Sequence, residues 1–560
     1  MRHRVYRALR ALGFAALVAP LGMATAWAQA PAVPDRAAAV AVASDELAAQ
    51  VDIVLRQGLE LEHNRRWSEA VAHYEDALRR FPESDVLRRR LELARTHWGI
   101  VRRYQEASFR QTLGQLAAAD ALQLYSDVLL KLDSYYVDPP DWRRLVDRGT
   151  YCFEVALYNE AFRAHHRLAV SDAQLGTFRS DLRNRLASLG IRTRAEARTA
   201  VHHAAYLAQQ RLGLPQTAVI LEYTCGMADS LDDYSAFLTK GELDEVYAQI
   251  EGNFVGLGIE IKPGPQGLEI VRVIPGSPAQ RAGILAGDRI VAVDGQPTTG
   301  MNSDEAAGRL QGPEGSTVRV RVVTPEQPPR DLAVRREQVE VPSIEDERLL
   351  DATSGVAYLR LVSFQKTTGR ELDAALWRLH DAGMKSLIID LRGNPGGLLT
   401  AAVEAVDRFV DAGVIVSTRG RNAGEDFTYR AHRHNTWRVP LTVLIDGDSA
   451  SASEIFAGAI RDHGRGTIVG TRSYGKGSVQ GIFPLTTAGA GVRLTTARFY
   501  SPHGKPFHKV GVEPNVVVQQ AARPIDGQLR AVDPTADPAL NAAIQVAREQ
   551  LAQRQRSDQR

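Results

Sequence analysis

A chain of 560 residues is more than one hydrophobic core serves comfortably, which predicts three or four structural units. Its 68 basic and 66 acidic side chains nearly cancel. No field of one sign marks nucleic acid as the main partner, and protein or peptide is expected instead.

The chain opens as an export signal. Arg2, Arg4, Arg7 and Arg10 precede an apolar stretch from Ala11 to about Ala26, and Ala28-Gln29-Ala30 has the small-x-small form of a cleavage site. Residues 1–30 are therefore expected to be removed, leaving a linker over 31–44. The competing reading is an uncleaved anchor, but the run is short for a span and is broken by Pro20. No later segment is apolar enough to cross a bilayer, so the expectation is an exported protein, in a bacterial periplasm, with no integral span after signal removal.

Residues 45–108 show helical periodicity. Counted from Val51, residues Gly58, Ala70, Tyr74, Ala77 and Pro82 fall at positions 8, 20, 24, 27 and 32 of a 34-residue unit. That pattern resembles one tetratricopeptide (TPR) repeat. A lone repeat cannot bury its own apolar face, so a plain helical hairpin is the alternative, and a role in adaptor binding or self-association stays open. A helical cap or bundle follows over 109–245, with breaks at Val137-Asp138-Pro139-Pro140 and Leu231-Asp232-Asp233-Tyr234-Ser235. It holds both cysteines, Cys152 and Cys225, which in an oxidising compartment could close one disulfide; two reduced, buried thiols are the alternative. Neither sits in a metal-binding pattern. The close histidines, His202-His203 and His432 to His434, also lack metal-ligand spacing, so no metal is expected.

Near Ile250 the texture changes to short apolar runs punctuated by glycine and proline, the mark of strands and turns. Phe254-Val255-Gly256-Leu257-Gly258-Ile259, then Pro275-Gly276-Ser277-Pro278-Ala279, Gly287-Asp288-Arg289-Ile290 and Val293-Asp294-Gly295 form an ordered set that resembles a PDZ domain, placed at 246–325. The N–H groups around Gly256, Leu257, Gly258 and Ile259 can converge on a terminal carboxylate, and the neighbouring strand edge can accept a peptide as an added strand.

Residues 326–520 alternate strand and helix and predict an α/β layer. Val356–Phe364, Ser386–Leu391 and Leu441–Ile445 read as strands. Thr368 to about Gly383 reads as a helix, its start suited to a Thr368/Glu371 capping box, and Leu399–Phe409 as another. A C-terminal helix and tail are placed at 521–560. The chemistry gathers where strands end. Asp446-Gly447-Asp448-Ser449-Ala450-Ser451-Ala452-Ser453-Glu454 puts serines at a helix N-terminus, where N–H groups stabilise negative charge on a substrate oxygen. A serine hydroxyl needs a base, and no GxSxG motif is present. Lys476, in Gly475-Lys476-Gly477-Ser478-Val479-Gln480, can serve if burial leaves its amine neutral. Gln480, two alternations further along a strand, is expected on the same face to orient that amine. The glycines of Arg392-Gly393-Asn394-Pro395-Gly396-Gly397, with the Ala452 amide, suit an oxyanion hole.

Taken together, the Ser-Ala-Ser-Glu, Gly-Lys-Gly-Ser-Val-Gln and Arg-Gly-Asn-Pro-Gly-Gly motifs resemble those of the C-terminal processing peptidases, or tail-specific proteases, over about Tyr135 to Val518. The resemblance implies cofactor-free endoproteolysis near the C-termini of substrate proteins. It makes Ser451 the nucleophile, since the family's lysine follows its serine by 25 residues, as Lys476 follows Ser451. It also makes Lys476 the general base with Gln480 its partner. Glu454 and Asp462 take supporting positions, with a helix-surface or capping role as the alternative. A P-loop reading of Gly470–Lys476 fails because Gly477 stands where Ser or Thr is needed and a strand follows. The remaining rival is a catalytically silent PDZ/TPR scaffold for exported proteins.

Overall fold

The computed structural model describes residues 36–264, 266–299, 301, 303–432, 436–518 and 537–558. The expected signal over 1–30, His434 of the second histidine group and most of the tail preceding the last helix lie outside them. The described chain forms two units, dividing after Arg95.

The first unit is a helical hairpin, Arg36–His63 and Trp67–Arg80, joined by the beginning of helix Asp85–Gln105. Val54, Ala70, Tyr74, Ala77, Leu87, Leu91 and Ala94 form its core. Gly58 lies under the Tyr74 ring so closely that a Cβ there would meet Tyr74 Cζ at 2.3 Å. The Tyr74 hydroxyl donates to Glu62 Oε1 (2.7 Å), and Arg90 Nε donates to the same oxygen (2.9 Å), tying three helices through one buried carboxylate.

In the second unit, helices from Ala107 to Ala228 form a bundle around Gln216–Ala228, whose residues from Thr217 onward are all buried. Cys152 and Cys225 are both free thiols, so the disulfide alternative is not realised. Burial pushes the Cys152 thiol up to about 12. The helical region does not end as a pure bundle at 245. Its exit segment Ala236–Leu238 is a strand, paired antiparallel with Gly491–Tyr500 of the α/β core.

The PDZ sheet runs in the order Ile259–Gly264, Gly267–Val273, Arg289–Val293, Thr317–Val323, Arg330–Arg335. The last strand pairs fully with Thr317–Val323, which moves the PDZ boundary past the expected 325. Asn253–Gly256 pairs with Glu337–Glu340, so entry and exit of the module are zipped together.

The α/β core is built on a six-stranded sheet, ordered Ile344–Asp351, Val356–Leu361, Ser386–Asp390, Leu441–Ile445, Thr467–Gly470, Val516–Val517. The first pairing is antiparallel and the other four are parallel. Alternation explains why it is covered on both faces. Leu359, Leu387, Ile389, Val443 and Ile445 face helices Thr368–Asp381, Leu399–Asp407 and Ala452–Asp462, whereas Tyr358, Ile388, Leu444 and Val469 face helix Pro538–Asp558. An antiparallel sheet containing Gly413–Gly420, Ser478–Pro484 and Gly491–Tyr500 packs beside it. The Thr368/Glu371 capping box does not form. Thr368 Oγ1 instead accepts from the Gln365 N–H (2.7 Å), and Glu371 accepts from the Ser343 N–H (2.7 Å), fastening the helix to the strand entering the core.

The last helix is anchored by charge to the loop that follows strand Ser386–Asp390. Arg392 is one-tenth exposed and donates to Asp390, itself nearly buried, while its other arm reaches Asp537 at 2.7 Å. Removing Asp537 leaves Arg392 paired with Asp390 but one arm of its guanidinium without an acceptor. Asp537→Ala is expected to destabilise the core by about 1–3 kcal/mol and to raise hydrogen exchange across Pro538–Asp558; wild-type exchange there would contradict the assignment.

Candidate active site

Three loops meet at the C-terminal ends of the parallel strands. The loop after Ser386–Asp390 is fixed by Asn394, fully buried, whose side-chain amide donates to the Leu361 carbonyl (2.8 Å) and whose Oδ1 accepts from the Gly396 N–H (2.9 Å). The Asn394 carbonyl accepts from the Ala450 N–H and from Ser453 Oγ, both at 3.0 Å. Asp446 Oδ1 accepts from the N–H groups of Gly393 (2.9 Å), Asp448 and Ser449 (3.1 Å each), and Ser449 Oγ donates to the Leu391 carbonyl (2.8 Å). The first two loops are thus laced into one body.

Ser451 stands at the junction of strand Leu441–Ile445 and helix Ala452–Asp462 with φ 56° and ψ −113°. That left-handed conformation is costly for a residue with a side chain and persists only where the surroundings over-determine it. It presents a half-buried serine at the mouth of a helix. Of the neighbouring serines, Ser449 and Ser453 are fully buried and spend their hydroxyls on loop carbonyls.

The third loop carries Lys476 and is held by Glu454. This carboxylate is fully buried. Its Oε1 accepts from Ser473 Oγ (2.6 Å) and the Gly475 N–H (2.7 Å), and its Oε2 accepts from the N–H groups of Ser451 and Lys476 (2.8 Å each). Burial raises its pKa, and the four hydrogen bonds oppose that rise. Glu454 is therefore neither a surface residue nor only a cap; it joins the backbone of Ser451 to that of the lysine loop.

The Lys476 amine stands over the Tyr234 ring, 4.5 Å from its centroid. Its pKa lies below the ordinary lysine value. Burial is the main cause and the Arg493 charge adds to it, while Glu454 and Asp232 pull the other way. Gln480 does not orient the amine in this structure. Its side-chain amide donates to the Ser478 carbonyl (3.1 Å) and Oγ (2.9 Å). The strand begins only at Ser478, so Lys476 lies in the preceding loop and the alternation on which the expectation rested does not extend back to it.

The glycine loop also divides. The Gly396 N–H is committed to Asn394, so it is not a free oxyanion donor. Gly396 matters for its missing side chain instead: at φ 103°, a Cβ there would lie 2.8 Å from both the Ala452 nitrogen and Ser451 Cβ, in the space before the helix mouth. Gly397 at φ 140° is pressed against Phe364, where a Cβ would meet the carbonyl oxygen at 2.0 Å. The N–H groups of Gly397 and Ala452 remain as the candidate donors. Asp462 is not part of the cluster. It ends helix Ala452–Asp462, where it pairs with Arg461 (2.8 Å) and faces His503. Sequence reasoning missed Asn394, Asp446, Ser473 and Tyr234; the first two stood inside motifs already singled out.

In the PDZ sheet, strand Ile259–Gly264 lies at the end of the strand order, so its outer edge is open among the described residues. Gly258, φ 78°, approaches Ser277 so closely that a Cβ would meet Ser277 Cβ at 2.2 Å. The loop Gly256–Ile259 leads directly into that edge.

Two substitutions test this geometry. Glu454→Gln replaces acceptors with an NH₂ group facing N–H donors and is expected to slow labelling of Ser451 by a fluorophosphonate at least about a hundredfold, as misplacement of a reacting group does. Gly396→Ala is expected to abolish that labelling with helix content preserved by circular dichroism. Wild-type labelling in either variant would show that the loops are not coupled as described.

A model of peptidase family S41 matches residues 355–518, and a PDZ-domain model matches residues 269–324. A carboxy-terminal-processing protease of Bartonella bacilliformis is 37% identical over 318 residues, 56% of this chain and 72% of that protein. A carboxyl-terminal-processing protease of Picosynechococcus is 36% identical over 52% of this chain and 70% of that protein. A solved photosystem II D1 C-terminal processing protease aligns at 26% identity over 71% of this chain and 93% of its own, with a TM-score of 0.38. With a strained serine, a half-buried lysine and a PDZ module in one chain, and relatives matched over most of their length, this protein belongs to the carboxy-terminal-processing serine proteases of peptidase family S41.

Proposed function

We propose that this peptidase grips the C-terminal tail of a substrate protein in its PDZ groove and cleaves a peptide bond with Ser451 as nucleophile and Lys476 as general base. The observation that carries this reading is the Glu454 carboxylate, bonded at 2.8 Å to the backbone N–H of both residues. It brings the serine and the lysine to one place from loops on different strands.

The chemistry follows from the groups present. Neutral Lys476 takes the Ser451 hydroxyl proton as the oxygen attacks the scissile carbonyl. The oxyanion forms before the helix mouth, where the Ala452 and Gly397 N–H groups and the helix dipole stabilise it. Lys476 then passes its proton to the leaving amine, leaving an ester on Ser451. A water deprotonated by the same amine hydrolyses the ester. Because the amine acts only when neutral, and its pKa is depressed, activity rises with pH through that depressed value and falls as the amine charges at lower pH.

The open PDZ edge supports capture of an extended tail, with the Gly256–Ile259 loop placed for its carboxylate. No helix among the described residues is long and apolar enough to cross a membrane. The basic, apolar, small-residue pattern of the first 30 residues supports export to the periplasm. In the first unit, the packing of Gly58 beneath Tyr74 supports a TPR-like hairpin that docks an adaptor or a second copy.

The test is cleavage of an unstructured-tailed protein. Ser451→Ala and Lys476→Ala are expected to lose cleavage by at least about a thousandfold while still binding the tail. Lys476→Arg does not rescue, since a guanidinium stays protonated. Amidating the substrate's terminal carboxylate is expected to raise KM with kcat retained. Undiminished cleavage by Ser451→Ala would refute the mechanism.

A further inference from the structure

The amine of Lys476 sits on a four-carbon stem with several rotamers, and a general base has to be held in one of them. Gln480, the expected holder, is turned toward Ser478. What the amine meets is the face of Tyr234, delivered from the exit segment of the helical region.

That ring is placed with care. Asp232 Oδ1 accepts from the N–H groups of Tyr234 and Ser235, both at 2.7 Å, closing an Asx turn. Ser235 Oγ donates to Asp232 Oδ2 (3.0 Å) and accepts from the Thr495 N–H (3.1 Å). Arg493 Nε donates to the Tyr234 carbonyl (2.8 Å), and Ala236, two residues on, opens the strand registered against Arg493. The Tyr136 hydroxyl fixes the start of the turn through the Leu231 carbonyl (3.0 Å). Most of these bonds tie the turn either to itself or to the strand Gly491–Tyr500, which also pairs with the strand leaving the lysine loop. The ring therefore keeps register with the lysine.

Beside it opens a cavity of about 480 Å³, lined by Tyr136, Asp232, Tyr234, Tyr474, Ser478 and Arg498 among others.

We propose that Tyr234 is a positioning residue of the catalytic pair: the face of its ring is the seat on which the Lys476 amine is held. The inference rests on the reading of Lys476 as the general base. A ring face attracts an ammonium ion and gives a neutral amine less, so it acts against burial and against Arg493, in the same direction as the charges of Glu454 and Asp232. Tyr474, on the lysine's own loop, is largely exposed. The ring thus helps set the pH at which the pair becomes active, as well as where its nitrogen lies.

The experiment is the pH dependence of kcat/KM for the full chain on an internally quenched peptide with a free C-terminus, measured for wild type, Tyr234→Phe, Tyr234→Leu, Tyr234→Met and Lys476→Ala. Leucine and methionine keep apolar bulk but lose the ring face. They are expected to move the acidic limb downward by roughly one pH unit and to lower the plateau roughly ten- to a hundredfold. Phenylalanine keeps the face and is expected to keep the limb in place. A limb unmoved in both aliphatic variants, or moved equally in Tyr234→Phe, overturns the proposal; a lower plateau with an unmoved limb does so too, because it marks a purely structural role. Activity surviving in Lys476→Ala would instead overturn the reading of the base, and is distinguished by that variant alone.

Discussion

A single carboxylate sets the geometry of this active site. A carboxylate has about four lone-pair sites, and Glu454 fills them with four donors drawn from two loops. Buried charge is costly, and charge-assisted hydrogen bonds are the means of offsetting that cost. Because the donors include the backbone of Ser451 and of Lys476, the offset is realised only when both loops are in place. The electrostatics carry a counter-effect. A negative charge near Lys476 favours the protonated amine, which catalysis does not want, and burial together with Arg493 outweighs it. The site balances a charge needed for shape against a neutrality needed for chemistry.

Everything around that carboxylate is arranged to keep the loops rigid while leaving two N–H groups unspent. Asn394 and Asp446 absorb the donors of the glycine loop and of the turn before Ser451. The φ of 56° at Ser451 is the residue of that constraint, a conformation the chain adopts because its neighbours on both sides are fastened. Gly396 and Gly397 then supply what no other residue can, absence of a side chain where the substrate oxygen has to sit and where Phe364 already packs. The parallel sheet beneath, covered by helices on both faces, provides the stiff base on which such loops can be placed at strand ends.

Much of this was legible in the sequence where the signal was local. Ser451 and Lys476 stand in short motifs at strand ends, and the continuous apolar runs of Ser386–Asp390 and Leu441–Ile445 marked buried strands directly. Gln480 was misread for a physical reason: the strand starts at Ser478, so Lys476 stands in a loop whose backbone does not alternate, and nothing in the residues themselves announces where the strand begins. Thr368 and Glu371 have capping-box spacing, yet both found partners on the approaching segment around Ser343, a tertiary competitor that periodicity does not reveal. The PDZ boundary was set too early because Arg330–Arg335 is a short edge strand rich in charge. Glu454 was singled out by position, but its role depends on residues about twenty further along, brought back by the strand Thr467–Gly470. Tyr234 was quoted only as part of a break between elements, since its contact with Lys476 spans most of the second unit.

That contact also bears on how the catalytic pair works. Among the described residues no hydrogen bond joins the Lys476 amine to the Ser451 hydroxyl; the amine stands on an aromatic face. A cation on such a face gains about 0.5–2 kcal/mol, and a hydrogen bond to a hydroxyl contributes net about 0.5–1.5 kcal/mol. The two seats are thus close in energy, and a small change in either is enough to decide between them. Loss of the proton is such a change, because a neutral amine forfeits most of its attraction to the ring and keeps its lone pair for the serine proton. Desolvation by a substrate backbone lying in the cleft acts in the same sense, since it disfavours the ammonium further. Deprotonation thus loosens the seat without emptying it: the ring still bounds the neutral amine, whose lone pair is then free for the serine proton.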